Sequence, residues 1–254
     1  GQQDPLAFLE RIRLAMQAGN TGLVKVLAGQ MPADYQTMSS AIISLADKPD
    51  SVLDFARATG ATDFTRQMAA EAFTSVARQD VDNARLMIPT LAQAQQLNDA
   101  QTQALRDTVA WRLMGNDTTT EQARWRDDAI MRTGSVSLLE RRVRMALANG
   151  DRRGLNTWLS RLPMEAKEKD EWRYWQADLL LERGRDEEAK TLLRGLMPQR
   201  GFYPMVAAQR LNEPYTPKVD KDTPCLTHTL GPGAPMAPLP HPLSQHLAST
   251  DPRP

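Results

Sequence analysis

Residues Leu179–Pro198 read LLLERGRDEEAKTLLRGLMP: an apolar run stops at Gly184, and Asp186 opens a second run in which Ala189, Leu192, Leu193 and Leu196 recur at helical spacing before Pro198. Glycine takes positive φ at little cost, acidic side chains suit a first helical turn, and proline ends a run. The stretch therefore predicts two helices folded back across one short joint. The pattern recurs. MQAGNTGLVKVLAGQMP, Met16–Pro32, sets Gly19 ahead of Val24, Leu27 and Met31, and ALANGDRRGLNTWLSRLP, Ala146–Pro163, sets Gly150 ahead of Leu155, Trp158, Leu159 and Leu162. Each copy has an Asn or Asp near the new helix start. ARQDVDNARLMIP, Ala77–Pro89, reads as a degenerate fourth copy, with Gln79 in the place of the glycine and an earlier proline break at Pro89.

The step of five from Gly184 to Ala189 is that of tetratricopeptide repeats, but the copies are irregularly spaced and the strict period of about 34 residues is missing. The expected fold is all-α: an irregular α-solenoid or superhelix of short antiparallel helix pairs with tetratricopeptide-like joints. Asp4-Pro5 caps an amphipathic helix through Leu6, Leu9, Ile12 and Met16, and Ser137-Leu138-Leu139-Glu140 fits a capping box. Further helices are expected at roughly Asp34–Ala46, Ser51–Thr59, Thr62–Arg78, Asp99–Met114 and Thr118–Arg132. No sustained period-two alternation predicts a sheet. The pattern divides the chain into a helical region, 1–213, and a Pro-rich tail, 214–254, where Pro232, Pro235, Pro238, Pro240 and Pro242 forbid a helical stripe. The tail is expected to be disordered. Its abrupt change of composition suggests an end foreign to the helical body, as translation out of frame or a fusion would give.

Composition narrows the function. The chain has 254 residues, 41% of them hydrophobic, and its 31 basic and 31 acidic residues cancel. Such a balance lacks the basic footprint of a nucleic-acid partner, and no apolar run approaches the ~20 residues of a transmembrane segment. Cys225, His228, His241 and His246 are the only cysteine and histidines, all in the tail at a spacing that matches no zinc pattern. The body therefore offers no thiol nucleophile, imidazole base or metal site built on either ligand, and no catalytic, cofactor-binding or metal-ligating residue is assigned. Paired carboxylates remain, at Asp127-Asp128 and Glu187-Glu188. Helix neighbours diverge by about 100°, so neither pair converges on a substrate atom, and Glu187 and Glu188 suit a helix start.

Two groups are candidate contacts for a glycan or a partner. Trp172, Tyr174 and Trp175 could stack on sugars or anchor a protein, although Trp172, Trp175 and Leu179 have the i, i+3, i+7 spacing of a buried seam. Arg141 and Arg142, with Arg144, Arg152 and Arg153, form a basic patch whose default reading is a solvated helix face and whose functional reading is an anion or glycan-peptide contact.

Across ARWRDDAIMRTGSVSLLERRVRMALANGDRRGLNTWLSRLP, DEWRYWQADLLLERGRDEEAKTLLRG and RGFYPMVAAQRL the sequence resembles the large soluble lytic murein transglycosylases of Gram-negative bacteria. The likeness runs from Gly1 to about Asp220. It implies the superhelical region of that family, a curl of short helices on which a separate lysozyme-like domain sits. It also implies a periplasmic location, peptidoglycan glycan strands as partner, and a parent activity that cleaves MurNAc–GlcNAc β-1,4 bonds to a 1,6-anhydro product. The family's catalytic Glu lies in a Glu-Ser motif, which this sequence lacks, so no catalytic residue carries over. The chain leaves the family pattern around Thr216–Pro224. The expected role is that of a scaffold and glycan guide; the alternative is a tetratricopeptide-like protein-binding scaffold.

Overall fold

The computed structural model describes residues 4–218; residues 219–254 of the Pro-rich tail, with Cys225, His228, His241 and His246, lie outside the described residues. The tail's first residues, 214–218, return to the helical body: the Lys218 N–H donates to the Pro198 carbonyl at 3.3 Å and the Tyr215 hydroxyl to the Gln199 carbonyl at 3.1 Å. Among those described there are fourteen α-helices, two short 3-10 turns and no strand. They group into two compact units that divide between Gly134 and Ser135.

The first unit holds α1 (Pro5–Gln17), α2 (Thr21–Gly29), α3 (Gln36–Asp47), α4 (Val52–Ala58), α5 (Asp63–Gln79), α6 (Val81–Ala94), α7 (Asp99–Arg112) and α8 (Thr120–Met131). Helix α5 is its centre and packs against α1, α4, α6 and α7. Its buried Met68, Ala72, Phe73 and Val76 join Ile12, Val24, Leu27, Ile42 and Leu91 in one apolar cluster. The second unit holds α9 (Val136–Ala148), α10 (Arg152–Arg161), α11 (Met164–Lys167), α12 (Asp170–Glu182), α13 (Asp186–Leu196) and α14 (Phe202–Leu211). Helix α9 pairs with α10 and α12 with α13, while α14 packs on both α12 and α13. Leu138, Val143, Leu155, Trp158, Trp172, Leu193 and Leu196 are buried there. This is the all-α, irregular stacking of short helix pairs that the sequence predicts.

The three glycine joints have one geometry. Gly19, Gly150 and Gly184 take φ of +72°, +64° and +76°. In each, the residue after the glycine donates its N–H to the carbonyl five residues back: Asn20 to Ala15, Asp151 to Ala146 and Arg185 to Leu180, all at 2.9 Å. The glycine N–H reaches the carbonyl three back, on Met16, Leu147 and Leu181. This Schellman closure satisfies orphan carbonyls and turns the chain in one residue, which lets the next helix return at once. Asn20 and Asp151 then cap the returning helices through the Leu23 and Gly154 N–H groups. At the third joint Asp186 is the first helical residue, and the cap position falls on Arg185 without a side-chain bond.

Other details depart from the sequence reading. Gln79 is no substitute for glycine: α5 ends there and Asp80 caps α6 at φ −150°. The left-handed joints without glycine are at Gln96 (φ +51°) and Asn212 (φ +56°), with the same five-back bonds from Leu97 to Ala92 and Glu213 to Ala208. Pro89 does not break α6, which runs through it to Ala94. Ser137 and Glu140 form no capping box, because Ser135 is the cap of α9, bonding the Leu138 N–H, and Glu140 is buried. Reciprocal boxes occur instead at Thr62/Thr65, Asn98/Gln101 and Thr119/Gln122.

A buried amide explains why a glutamine tolerates the left-handed region next to it. Gln95, fully buried, donates Nε2 to the Ala56 carbonyl at 2.9 Å and accepts at Oε1 from Thr65 Oγ1 at 2.8 Å, while Arg66 Nε donates to the Gln95 carbonyl at 2.8 Å. The ends of α4 and α6 and the start of α5 are thereby tied together. Thr59 and Gly60 add further bonds to Gln95 Nε2 and Thr65 Oγ1, so the buried polar groups here form one connected network.

Adding a Cβ at Gly184 meets no heavy atom within 4 Å. Any cost of substitution there is conformational. Gly184→Ala is expected to destabilise the second unit by about 1 kcal/mol and Gly184→Asn by less, since asparagine visits the left-handed region more readily. Urea melts followed by helical circular dichroism check this, and equal losses for both variants would contradict it.

Candidate functional site

The second unit brings the sequence-singled residues to two places. At the first, α9 supplies Glu140 and Arg144, one turn apart, and α12 supplies the consecutive Glu171 and Trp172. Glu140, 6% exposed, accepts at Oε2 from Trp172 Nε1 at 2.7 Å and from Lys169 Nζ at 2.9 Å. Arg144 grips Glu171 with two parallel bonds of 3.1 and 3.0 Å, and its guanidinium lies 5.1 Å from the Trp172 ring centroid. Burial raises the Glu140 pKa, but the Trp172 and Lys169 hydrogen bonds, aided by Arg144, outweigh it and hold the carboxyl below its ordinary value. Glu140 is thus an ionised anchor. A general acid for glycoside cleavage needs the opposite displacement.

The second place is a cavity of about 420 Å³ lined by Ala146, Leu147, Gly150, Asp151, Arg152, Leu155, Tyr174, Trp175, Asp178 and Arg210. The Gly150 joint, the start of α10, one face of α12 and the end of α14 meet around it. Asp178 is its polar hub: Oδ2 accepts from Arg152 Nη2 and Oδ1 from Arg210 Nη1, each at 2.5 Å. Arg152 also bonds Glu182, at 2.8 and 3.1 Å, and Arg210 Nη1 donates to the Tyr174 hydroxyl at 3.2 Å. Tyr174 stands edge-on to Trp175, with ring centroids 5.2 Å apart. Burial raises the Tyr174 pKa, against the lowering effect of Arg210, so the hydroxyl stays protonated.

Trp172, Tyr174 and Trp175 are 0%, 4% and 5% exposed, so the seam spacing governs and none of the three is presented on the outer surface. The basic patch is only in part a solvated face. Arg142 is buried with its guanidinium 5.0 Å from the Trp158 centroid, and Arg141 has a buried Nε without a hydrogen-bond partner, while Arg153 is exposed. Burial and the neighbouring Arg144 charge lower the Arg141 pKa. Tyr174 and Trp175 line the cavity; Trp172, Arg141 and Arg142 do not. Arg152 was grouped with the patch by sequence, but Asp178, Glu182 and Arg210 were missed. The i, i+4, i+8 series Tyr174, Asp178, Glu182 on one helix face was the available signal for two of them.

Removing the Glu140 carboxylate strands the buried Trp172 N–H. Glu140→Ala is expected to destabilise the second unit by about 1–3 kcal/mol. Because the folded-state pKa of Glu140 is depressed, its contribution is complete above the ordinary glutamate range and is lost as the pH falls through the depressed value. Urea melts at neutral pH and near pH 4 should show a smaller acid loss in Glu140→Gln than in the parent chain. An unchanged acid loss would refute the assignment.

No family model matches this chain. The chain is 80% identical over 221 residues to the soluble lytic murein transglycosylase of Escherichia coli K12, covering 87% of this chain and 34% of that protein. Against the Salmonella typhimurium protein of the same name the identity is 75% over 237 residues, covering 93% and 37%. The solved 70-kDa soluble lytic transglycosylase of Escherichia coli superimposes with a TM-score of 0.83 at 80% identity, over 87% of this chain and 36% of that one. The chain spans about a third of the length of the curated relatives it matches. The likeness read from the sequence therefore holds: over most of its residues this chain is similar in sequence and in fold to about a third of a soluble lytic murein transglycosylase.

Proposed function

We propose that this chain is the helical scaffold and glycan guide of a peptidoglycan lytic transglycosylase, working in the periplasm on strands whose MurNAc–GlcNAc β-1,4 bonds the whole protein cleaves to a 1,6-anhydro product. The observation that carries the reading is the 80% identity, joined to a shared fold, with a protein of that name. By sequence composition the scaffold is assigned to the helical region, 1–213, and the Pro-rich stretch 214–254 is given no part in it. Trp172, Tyr174, Trp175, Arg141 and Arg142 support glycan contact from within the second unit: the buried rings and cations set the shape and charge of the surface above them. Among the described residues no helix is long and apolar enough to cross a membrane, which is compatible with that location.

A tetratricopeptide-like adaptor is the second reading. An apolar groove in the first unit, lined by Phe8, Leu9, Met31, Pro32 and Tyr35 with Leu6 exposed nearby, favours it. Purified chain incubated with murein sacculi is expected to cosediment with them and to release no anhydro-muropeptides above a mock preparation. Release would overturn the scaffold reading. Capture of one defined periplasmic protein without sacculus binding would replace it with the adaptor.

A further inference from the structure

We propose that the cavity in the second unit at Tyr174, Trp175 and Asp178 is a binding site for a neutral saccharide ring. Its volume, about 420 Å³, lies within the range of small-ligand pockets, about 300–1,000 Å³. The walls are apolar, from Ala146, Leu147, Leu155 and the edge-on Tyr174–Trp175 pair, and the polar groups are gathered at Arg152, Asp178 and Arg210. That division suits a sugar, which has an apolar ring face and a hydroxyl edge.

Charge selects among polar ligands. Both guanidinium groups bond Asp178, Asp151 shares the lining, and Glu182 is bonded to Arg152. The site carries no cationic surplus, so a phosphate or carboxylate would meet acidic side chains already engaged by both arginines. Hydroxyls escape this conflict because they both donate and accept. Donors remain for them: Arg210 uses only Nη1 in its bonds to Asp178 and Tyr174, and Arg152 uses Nε and Nη2 but not Nη1.

The choice of a saccharide rests on the glycan-guiding reading, but the two fail separately. The test is titration of N,N′-diacetylchitobiose into the isotopically labelled full chain, following the Trp175 indole resonance assigned with Trp175→Phe. A saturable shift is expected. Ala146→Met, which fills the cavity, and Arg152→Gln, which changes its polar edge without changing its volume, should each weaken binding about tenfold or more. Should Ala146→Met not fold, Arg152→Gln decides. A motionless Trp175 resonance, binding unchanged in the variants, or tighter binding of inorganic phosphate would overturn the proposal. A chain that cosediments with sacculi while Trp175 stays unmoved refutes the cavity site and leaves the scaffold reading standing; a saccharide-dependent shift without cosedimentation does the reverse.

Discussion

Everything in this fold depends on stopping a helix within one residue. A helix end leaves carbonyls unpaired, and an irregular run-out would take several residues to satisfy them and would lose the direction of the next helix. The five-back bond onto a left-handed residue solves both problems at once. It occurs at Gly19, Gly150 and Gly184 and again at Gln96 and Asn212, so each unit is assembled from short helices that reverse sharply. Packing then needs only modest apolar stripes. Ala189, Leu193 and Leu196 on α13 suffice because α12 is held alongside by the joint.

The glycine joints were legible because only glycine takes the left-handed region almost without cost, so its position, with an apolar stripe on either side, identifies the turn. The same turn at Gln96 was illegible. What stabilises it is the Gln95 side chain bonded to Ala56 and Thr65, 39 and 30 residues away, and no local pattern records such partners. Pro89 misled for a related reason. Proline removes one amide bond and is a reliable stop only where packing does not compensate, and Ile88 and Leu91 on either side of it are buried in the first unit's core.

Within the candidate site, periodicity identified burial but not partnership. The spacing of Trp172, Trp175 and Leu179 correctly marked a seam. Glu140 was read as the far end of a capping box, a local role, whereas it is the acceptor for Trp172 and Lys169, 32 and 29 residues on. The arginine patch erred in the same way. Arg153 is exposed as a solvated face would have it, but Arg142, Arg144 and Arg152 lie along tryptophan rings or reach carboxylates on another helix, which the long, amphipathic arginine side chain permits. Sequence distance hides such pairs, and the repeat itself supplies them: a helix and the next but one are about thirty residues apart and become neighbours when the joints close.

This arrangement bears on the scaffold role proposed for the second unit. Cleaving a glycosidic bond with carboxyl groups requires one that is kept protonated near neutral pH, and that requires burial without cationic partners. Glu140 has burial but also an indole N–H, an ammonium and a nearby guanidinium, and their combined effect is to keep it ionised. Glu171, Asp178 and Glu182 are likewise each bonded to arginine. Carboxylates so engaged rigidify the helices they join and shape the surface between them.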